Sequence, residues 1–190
     1  MNKMNTKRPV LAKIISNLLI AIVIVTTLGV GNSSYANQRV GIIDWSDLRV
    51  PSNLTGEQLE LLLISDEMKG LGEAFAKAER DHGVNAMFLI FLARLEGNNG
   101  KSGLSKDYNN MFGWTDSKDP RGFRYWNSKE QSINDVAKSI RKNYLSEDGK
   151  FYGGGFGVKD MNKKYCTSDE WAGKLISMSK KEAQRLSKAR

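Results

Sequence analysis

Residues 85–114 read NAMFLIFLARLEGNNGKSGLSKDYNNMFGW, and the fold follows from how this stretch has to be buried. Asn85 is a good N-cap residue, and Met87, Phe88, Leu89, Ile90, Phe91, Leu92, Ala93 and Leu95 then follow with almost no polar relief. A helix that is apolar on nearly every side belongs in an interior. At its far end stands one carboxylate, Glu96, and the glycines and amides of GNNGKSG then break the helix into a loop. The reading is therefore an acid carried to the surface on a buried rod. An acid at a helix C-terminus opposes the macrodipole, so the placement asks for a reason.

General acid catalysis supplies one. A carboxyl group backed by an apolar helix is partly desolvated, which favours its protonated form, and glycines beside it allow close approach of a substrate to backbone. The competing reading is an ordinary solvated residue at a helix end. The loop that follows, SGLSKDYNNMFGW, mixes small, amide and aromatic residues, the composition of a carbohydrate surface, because sugar C–H faces stack on rings while asparagine both donates to and accepts from hydroxyls. Against this, Met111 and Phe112 serve equally as core, and Asn109 and Asn110 as turn residues that satisfy backbone.

Outward from this stretch, apolar spacing predicts a helix over 56–69 through Leu59, Leu62 and Leu63, and a second over 71–82 through Leu71, Phe75 and Ala78. Residues 115–126, TDSKDPRGFRYW, carry Pro and Gly turn signals followed by alternating Phe123 and Tyr125, the pattern of a short hairpin. Ser128 to Gln131 reads as a capping box that opens a helix through Ile133, Val136, Ala137, Ile140 and Tyr144. The glycine-rich run DGKFYGGGFGVKDMNKKY lacks the GK[ST] ending of a phosphate loop, and its Val158, Met161 and Tyr165 predict a short helix instead. Thr167 to Glu170 reads as another capping box, starting a helix through Trp171, Leu175 and Met178 that ends in Lys180, Lys181, Arg185, Lys188 and Arg190.

The amino-terminal 36 residues have a different character. Lys3, Lys7, Arg8 and Lys13 precede an uncharged stretch over 14–30, and small residues follow at Ser34 and Ala36, the plan of a secretory signal peptide. A retained membrane anchor is the rival reading. Residues 37–54 are a leader or spacer, and 55–190 the domain. The chain holds 29 Lys and Arg against 21 Asp and Glu; without the four basic residues of the first segment, 25 remain against 21. Cys166 and His82 are each the only residue of their kind, which excludes an internal disulfide and any Cys/His zinc set, and leaves a catalytic triad resting on His82 alone. His82 reads as a helix C-terminal residue before Gly83, and Cys166 as a semi-buried hydrophobe.

The runs GVNAMFLIFLARLEGNNGKS, NNMFGW and WNSKEQSINDVAKSIRKNYL, then the glycine-rich stretch and MNKKY before a Trp-containing helix, together resemble the glucosaminidase family of bacterial cell-wall hydrolases, glycoside hydrolase family 73. The resemblance runs from about Leu71 to about Met178. It implies a mainly α, lysozyme-like α+β fold, with a helical lobe around the buried central helix and a small β-hairpin lobe facing it across a cleft. Glu96 inherits the role of catalytic proton donor. Asn109, Asn110, Phe112 and Trp114 match the family's NNxFG signature and Ser102 its loop serine, which implies substrate binding. Asn162 and Tyr165 match an Asn and a Tyr near the active site, which implies substrate binding for Asn162 and a catalytic part for Tyr165, as a hydrogen-bond partner of the substrate or an orienter of the acid, with core packing as its competing reading. One departure stands out: the family has a hydroxyl residue and then Gly after the acid, where this chain has Gly97 and Asn98.

Glycosidases normally use two carboxylates, although an N-acetylated sugar can supply its own acetamido oxygen. Glu130 is the first candidate for the second group by its place after the small lobe, yet an acid in the first turn of a helix also simply stabilises the dipole. Asp116 and Asp119 are its rivals, and each is equally a turn residue. The expectation is an exported, monomeric endo-β-N-acetylglucosaminidase that cuts peptidoglycan glycan strands without metal or organic cofactor. The alternatives are a muramidase or lytic transglycosylase on the same scaffold, or a non-catalytic wall-binding protein. The basic carboxy-terminal helix suits weak attraction to teichoic acids or anionic lipids, and nothing in the chain suits nucleic acid.

Overall fold

The computed structural model describes residues 43–188; the expected export segment and the first part of the leader lie outside the described residues. Among the described residues the order is α1 (Gly56–Glu60), α2 (Gly72–His82), α3 (Ala86–Glu96), α4 (Gly103–Asp107), α5 (Lys129–Asn143), α6 (Val158–Tyr165) and α7 (Trp171–Lys188). The architecture is mainly α, and its centre is α3. Every residue of α3 from Ala86 to Arg94 is buried. Phe88, Leu89, Ile90, Phe91 and Leu92 have no exposed surface, and each contributes about 1.5–3 kcal/mol by leaving water.

The entry to α3 is held from several sides. The Asn85 side-chain oxygen accepts from the Phe88 N–H at 3.0 Å while its amide donates to the Val50 carbonyl at 2.8 Å. Buried Glu79 of α2 accepts from the Ala86 N–H at 2.6 Å and from the Ser52 N–H at 2.8 Å, placing a negative charge where the helix dipole favours one. Helix α2 ends at Gly83, whose φ of 64° gives the left-handed turn that brings the chain straight into α3. His82 closes α2 and its Nε2 lies 2.8 Å from Asn134 Oδ1 of α5. Helix α2 packs on α1, α3 and α5, while α7 packs on α3 and α6.

Residues 43–54 pack on the domain: Ile43 and Leu48 are buried, the Trp45 ring meets Phe88 edge-on at 6.5 Å, and the Val158 N–H donates to the Trp45 carbonyl at 3.0 Å. Two expectations need correction. The helix predicted over 56–69 stops at Glu60; Leu62 and Leu63 instead donate to the carbonyls of Leu59 and Glu60, three residues back, and the Glu60 carboxylate turns to cap the Gly70 and Gly72 N–H groups at 2.6 and 3.0 Å. At α7 no capping box forms from Thr167, because the helix begins only at Trp171; the Trp171 N–H bonds the Ser168 carbonyl at 3.2 Å, and Asn162 Oδ1, from α6, accepts from Ala172 at 3.0 Å. A side chain ten residues upstream takes the place of the local cap. At α5 the Ser128 cap is as predicted, with Gln131 reaching one residue further back than a capping box requires, to the Asn127 N–H at 3.1 Å.

The small lobe is slighter than a full hairpin. One antiparallel bridge joins Thr115 and Phe123, flanked by Asp116 N–H to Gly122 O at 3.1 Å and Arg124 N–H to Trp114 O at 3.0 Å.

Candidate active site

Glu96 is the last residue of α3, partly exposed at the point where the buried rod reaches the surface. Its Oε1 accepts a hydrogen bond from the indole N–H of Trp171 at 2.8 Å. The Trp171 ring, itself buried, stacks on Tyr165 at 4.8 Å between centroids and 31° between planes, and Tyr165 continues to Tyr144 at 5.6 Å and from there to Phe151 at 5.1 Å. An aromatic wall thus leads away from the carboxylate. Burial pushes the Tyr165 hydroxyl well above its usual pKa, and the neighbouring Glu96 charge pushes it further, with Trp114 opposing as a hydrogen-bond partner. Tyr165 is accordingly a neutral hydroxyl at any physiological pH, a donor and acceptor rather than a base.

The loop after Glu96 is shaped by close backbone approach. A Cβ on Gly97 would lie 2.6 Å from the Met111 carbonyl oxygen and 2.8 Å from that of Ala93, so no larger residue fits without movement. Asn98 and Asn99 then take positive φ of 51° and 54°, a region asparagine tolerates better than most residues. The chain's departure from the family pattern has a local reason here. Asn99 is fixed from below: Arg94 Nε donates to Asn99 Oδ1 at 3.1 Å, and the Asn99 N–H returns to the Arg94 carbonyl at 2.9 Å. Arg94 in turn forms a buried ion pair with Glu182 of α7 at 3.1 Å, both side chains only 6% exposed.

Several expected substrate residues are found holding backbone. Ser102 caps α4, accepting from the Ser105 N–H at 3.1 Å. Asn109 donates to the Trp126 carbonyl at 2.9 Å. Asn110 is fully buried; it donates to the carbonyls of Trp114 and Arg124 at 2.8 and 3.0 Å and accepts from the Trp114 N–H at 2.9 Å, which pins both sides of the small lobe to the helical lobe. Phe112 is core, and Trp114 is half-buried. Asn162 is buried, donating to the carbonyls of Ser168 at 2.9 Å and Cys166 at 3.3 Å. Of the matched residues, Tyr165 is the one that feels the Glu96 charge, and Trp114 reaches it only through a hydrogen bond with Tyr165.

Among the rival carboxylates, Asp116 accepts from the Lys118 N–H and Asp119 from the Arg121 N–H, each at 2.9 Å, so both close turns. The Arg121 guanidinium also grips Asp119 and holds its carboxyl down to about 2. Glu130 is exposed in the first turn of α5. Among the described residues no group of three His, Cys, Asp or Glu side chains is placed to hold a metal ion. A shallow depression of about 550 Å³ lies along α7, lined by Leu95, Gly173, Lys174, Ser177 and Met178 among others, and its lining does not include Glu96.

Sequence reasoning missed Trp171 and Arg94 as parts of this site. Trp171 read as one apolar position of a helix; Arg94 was legible only as the one charge inside an otherwise apolar rod, and nothing local pointed to its partner 88 residues on.

Residues 72–184 match the profile of the Glucosaminidase family, described as mannosyl-glycoprotein endo-beta-N-acetylglucosaminidase. Two Streptococcus pneumoniae proteins that carry the name endo-beta-N-acetylglucosaminidase as a provisional assignment are 29% identical over 149 residues, 75% of this chain. The chain spans only about a fifth of their length, 22% and 21%. Among solved structures, Autolysin E of S. aureus superposes with a TM-score of 0.61 at 23% identity, over 75% of this chain and 72% of that one. A catalytic mutant of it, in complex with the disaccharide NAG-NAM, gives the same TM-score over 77% of this chain and 76% of its own. These likenesses show the lysozyme-like fold expected from the sequence.

Proposed function

The chain belongs to the mannosyl-glycoprotein endo-beta-N-acetylglucosaminidase family, and from that membership and the surroundings of Glu96 we propose that it hydrolyses the glycan strands of peptidoglycan after N-acetylglucosamine. The observation that carries the reading is a single carboxylate delivered by a buried helix to a wall of aromatic rings, with an indole N–H on one oxygen. Glu96 protonates the glycosidic oxygen while an oxocarbenium-like centre develops on the sugar. Tyr165 presents a neutral hydroxyl beside it, and the half-buried Trp114 a ring on which a sugar face stacks. Glu130, exposed and outside the turns that occupy Asp116 and Asp119, is the carboxylate assigned to water; a substrate acetamido oxygen is the other route to the same step.

The substrate assignment is supported by the complexes of Autolysin E with NAG-NAM and with the muropeptide NAM-L-Ala-D-iGlu. Such a substrate lies outside the cytoplasmic membrane, which agrees with the signal-like residues 1–36. The exposed Lys180, Lys181 and Lys188 of α7 offer weak attraction to wall or lipid polyanions.

The test is release of reducing ends from purified peptidoglycan, with Glu96→Gln alongside and products read by mass spectrometry after borohydride reduction. Reduced N-acetylglucosamine ends that disappear in the variant are the expected result. Reduced N-acetylmuramic acid ends would replace the reading with a muramidase. Glycan binding without any release would replace it with a wall-binding protein.

A further inference from the structure

We infer that Trp171 is a positioning residue for the Glu96 carboxylate, held in place by Asn162, so that the amide implied to bind substrate acts two contacts away from it. The inference rests on the reading of Glu96 as the acid.

An acid that protonates a glycosidic oxygen must present one oxygen to the substrate and keep the other occupied. A carboxylate at the end of a helix turns freely about its last torsion unless something grips one oxygen. The indole N–H has a single donor direction and no acceptor, and at 2.8 Å it selects Oε1, leaving Oε2 for the substrate. The bond needs only a lone pair on Oε1, so it holds the carboxyl group whether or not Oε2 carries the proton, and the partly buried setting strengthens it. The ring has little freedom to follow a wandering carboxylate: it is 4% exposed and lies against Tyr165.

What fixes Trp171 is the start of α7. Trp171 is the first residue of that helix, where the backbone N–H groups lack intrahelical partners. Asn162 Oδ1 takes the Ala172 N–H, while Asn162 Nδ2 takes the Ser168 and Cys166 carbonyls. One buried amide thus ties the turn over 166–168 to the first turn of α7 and sets the direction in which the indole leaves the helix. The far end of the same helix is locked to α3 through Glu182 and Arg94, two residues before Glu96. Helix α7 is clamped to α3 at two points, and Glu96 lies at one of them.

The experiment has two arms on the full chain. In the first, the indole N–H resonances of the four tryptophans are recorded by NMR, with Trp171 assigned through Trp171→Phe. Trp126 is an internal control, since its indole donates to Asp135 Oδ2 at 3.1 Å. Glu96→Gln is expected to move the Trp171 resonance upfield and leave Trp126 in place, and Asp135→Asn to do the reverse. A Trp171 resonance indifferent to Glu96→Gln overturns the inference. In the second arm, Trp171→Phe keeps the ring against Tyr165 and removes the donor; kcat on soluble glycan fragments is expected to fall about ten- to a hundredfold with KM within about twofold, and Trp171→His, which restores a ring N–H at similar reach, to recover part of the loss. Equal losses in both variants, or a rise in KM alone, overturn it. A wild-type chain that cuts nothing but shows the Glu96-dependent shift refutes the hydrolase reading and upholds the contact.

Discussion

Replacing Gly97 by Ala adds one methyl group next to the candidate acid, and the structure says what that methyl meets. Ideal Cβ positions lie 2.6 Å from the Met111 carbonyl oxygen, 2.8 Å from the Ala93 carbonyl oxygen and 2.8 Å from Ser105 Oγ. Two of the three are backbone atoms of the helix end and of the segment leading to Phe112, so neither yields by a rotamer change. The φ of −90° and ψ of 4° are open to alanine, so the cost is steric rather than conformational. Overpacking of this kind costs about 1–3 kcal/mol, and the lower entropy of the unfolded alanine chain returns about 0.4–1 kcal/mol. A net loss of about 1–2 kcal/mol lowers Tm by roughly 2–8 °C for a chain of this length. Activity should suffer more than stability, because the strain is relieved by moving the loop or the turn that carries Glu96, and misplacement by about 1 Å costs on the order of a hundredfold. Thermal melts and reducing-end release on the same preparations test both halves. A Gly97→Ala protein with wild-type Tm and wild-type turnover refutes the claim that backbone crowding requires glycine there.

The buried ion pair should be costly to break from one side: Arg94→Met leaves Glu182 with Arg185 alone and releases Asn99, and urea unfolding is expected to show a loss of about 3–5 kcal/mol. Asn110→Ala removes three hydrogen bonds between the lobes; about 1 kcal/mol for each gives a loss near 3 kcal/mol, and hydrogen exchange of the Trp114 and Arg124 amides should quicken. Asp47 has its carboxyl held below the ordinary 3.8, chiefly by hydrogen bonding from the Arg49 side chain. A depressed carboxyl stabilises above its unfolded pKa and loses that contribution as pH falls through the folded value, so Asp47→Asn should lower Tm at pH 7 and lose its effect once the pH has fallen past the lowered pKa of Asp47. The pair is partly exposed, which keeps the difference under about 1 kcal/mol.

Much of this protein was determined by order along the chain. The apolar run from Met87 to Leu95, the Asn85 cap, the Gly83 stop and the Ser128 cap each act within a few residues, so α3, the end of α2 and the start of α5 are legible without any partner. The family motifs placed Glu96 at the end of the rod for the same reason. What failed locally were the elements whose capping groups come from elsewhere: α1 stops short because Glu60 turns to cap α2, and α7 starts late because Asn162 supplies its cap. The asparagines were ambiguous because an amide bonds a sugar hydroxyl or a backbone carbonyl with equal ease, and only burial showed that Asn110 and Asn162 face backbone. Trp171 lies 75 residues from Glu96 and Glu182 lies 88 from Arg94. Tertiary packing alone brought these pairs within hydrogen-bonding distance, since no periodicity or turn rule relates residues that far apart, and it is this packing that gives the carboxylate its direction.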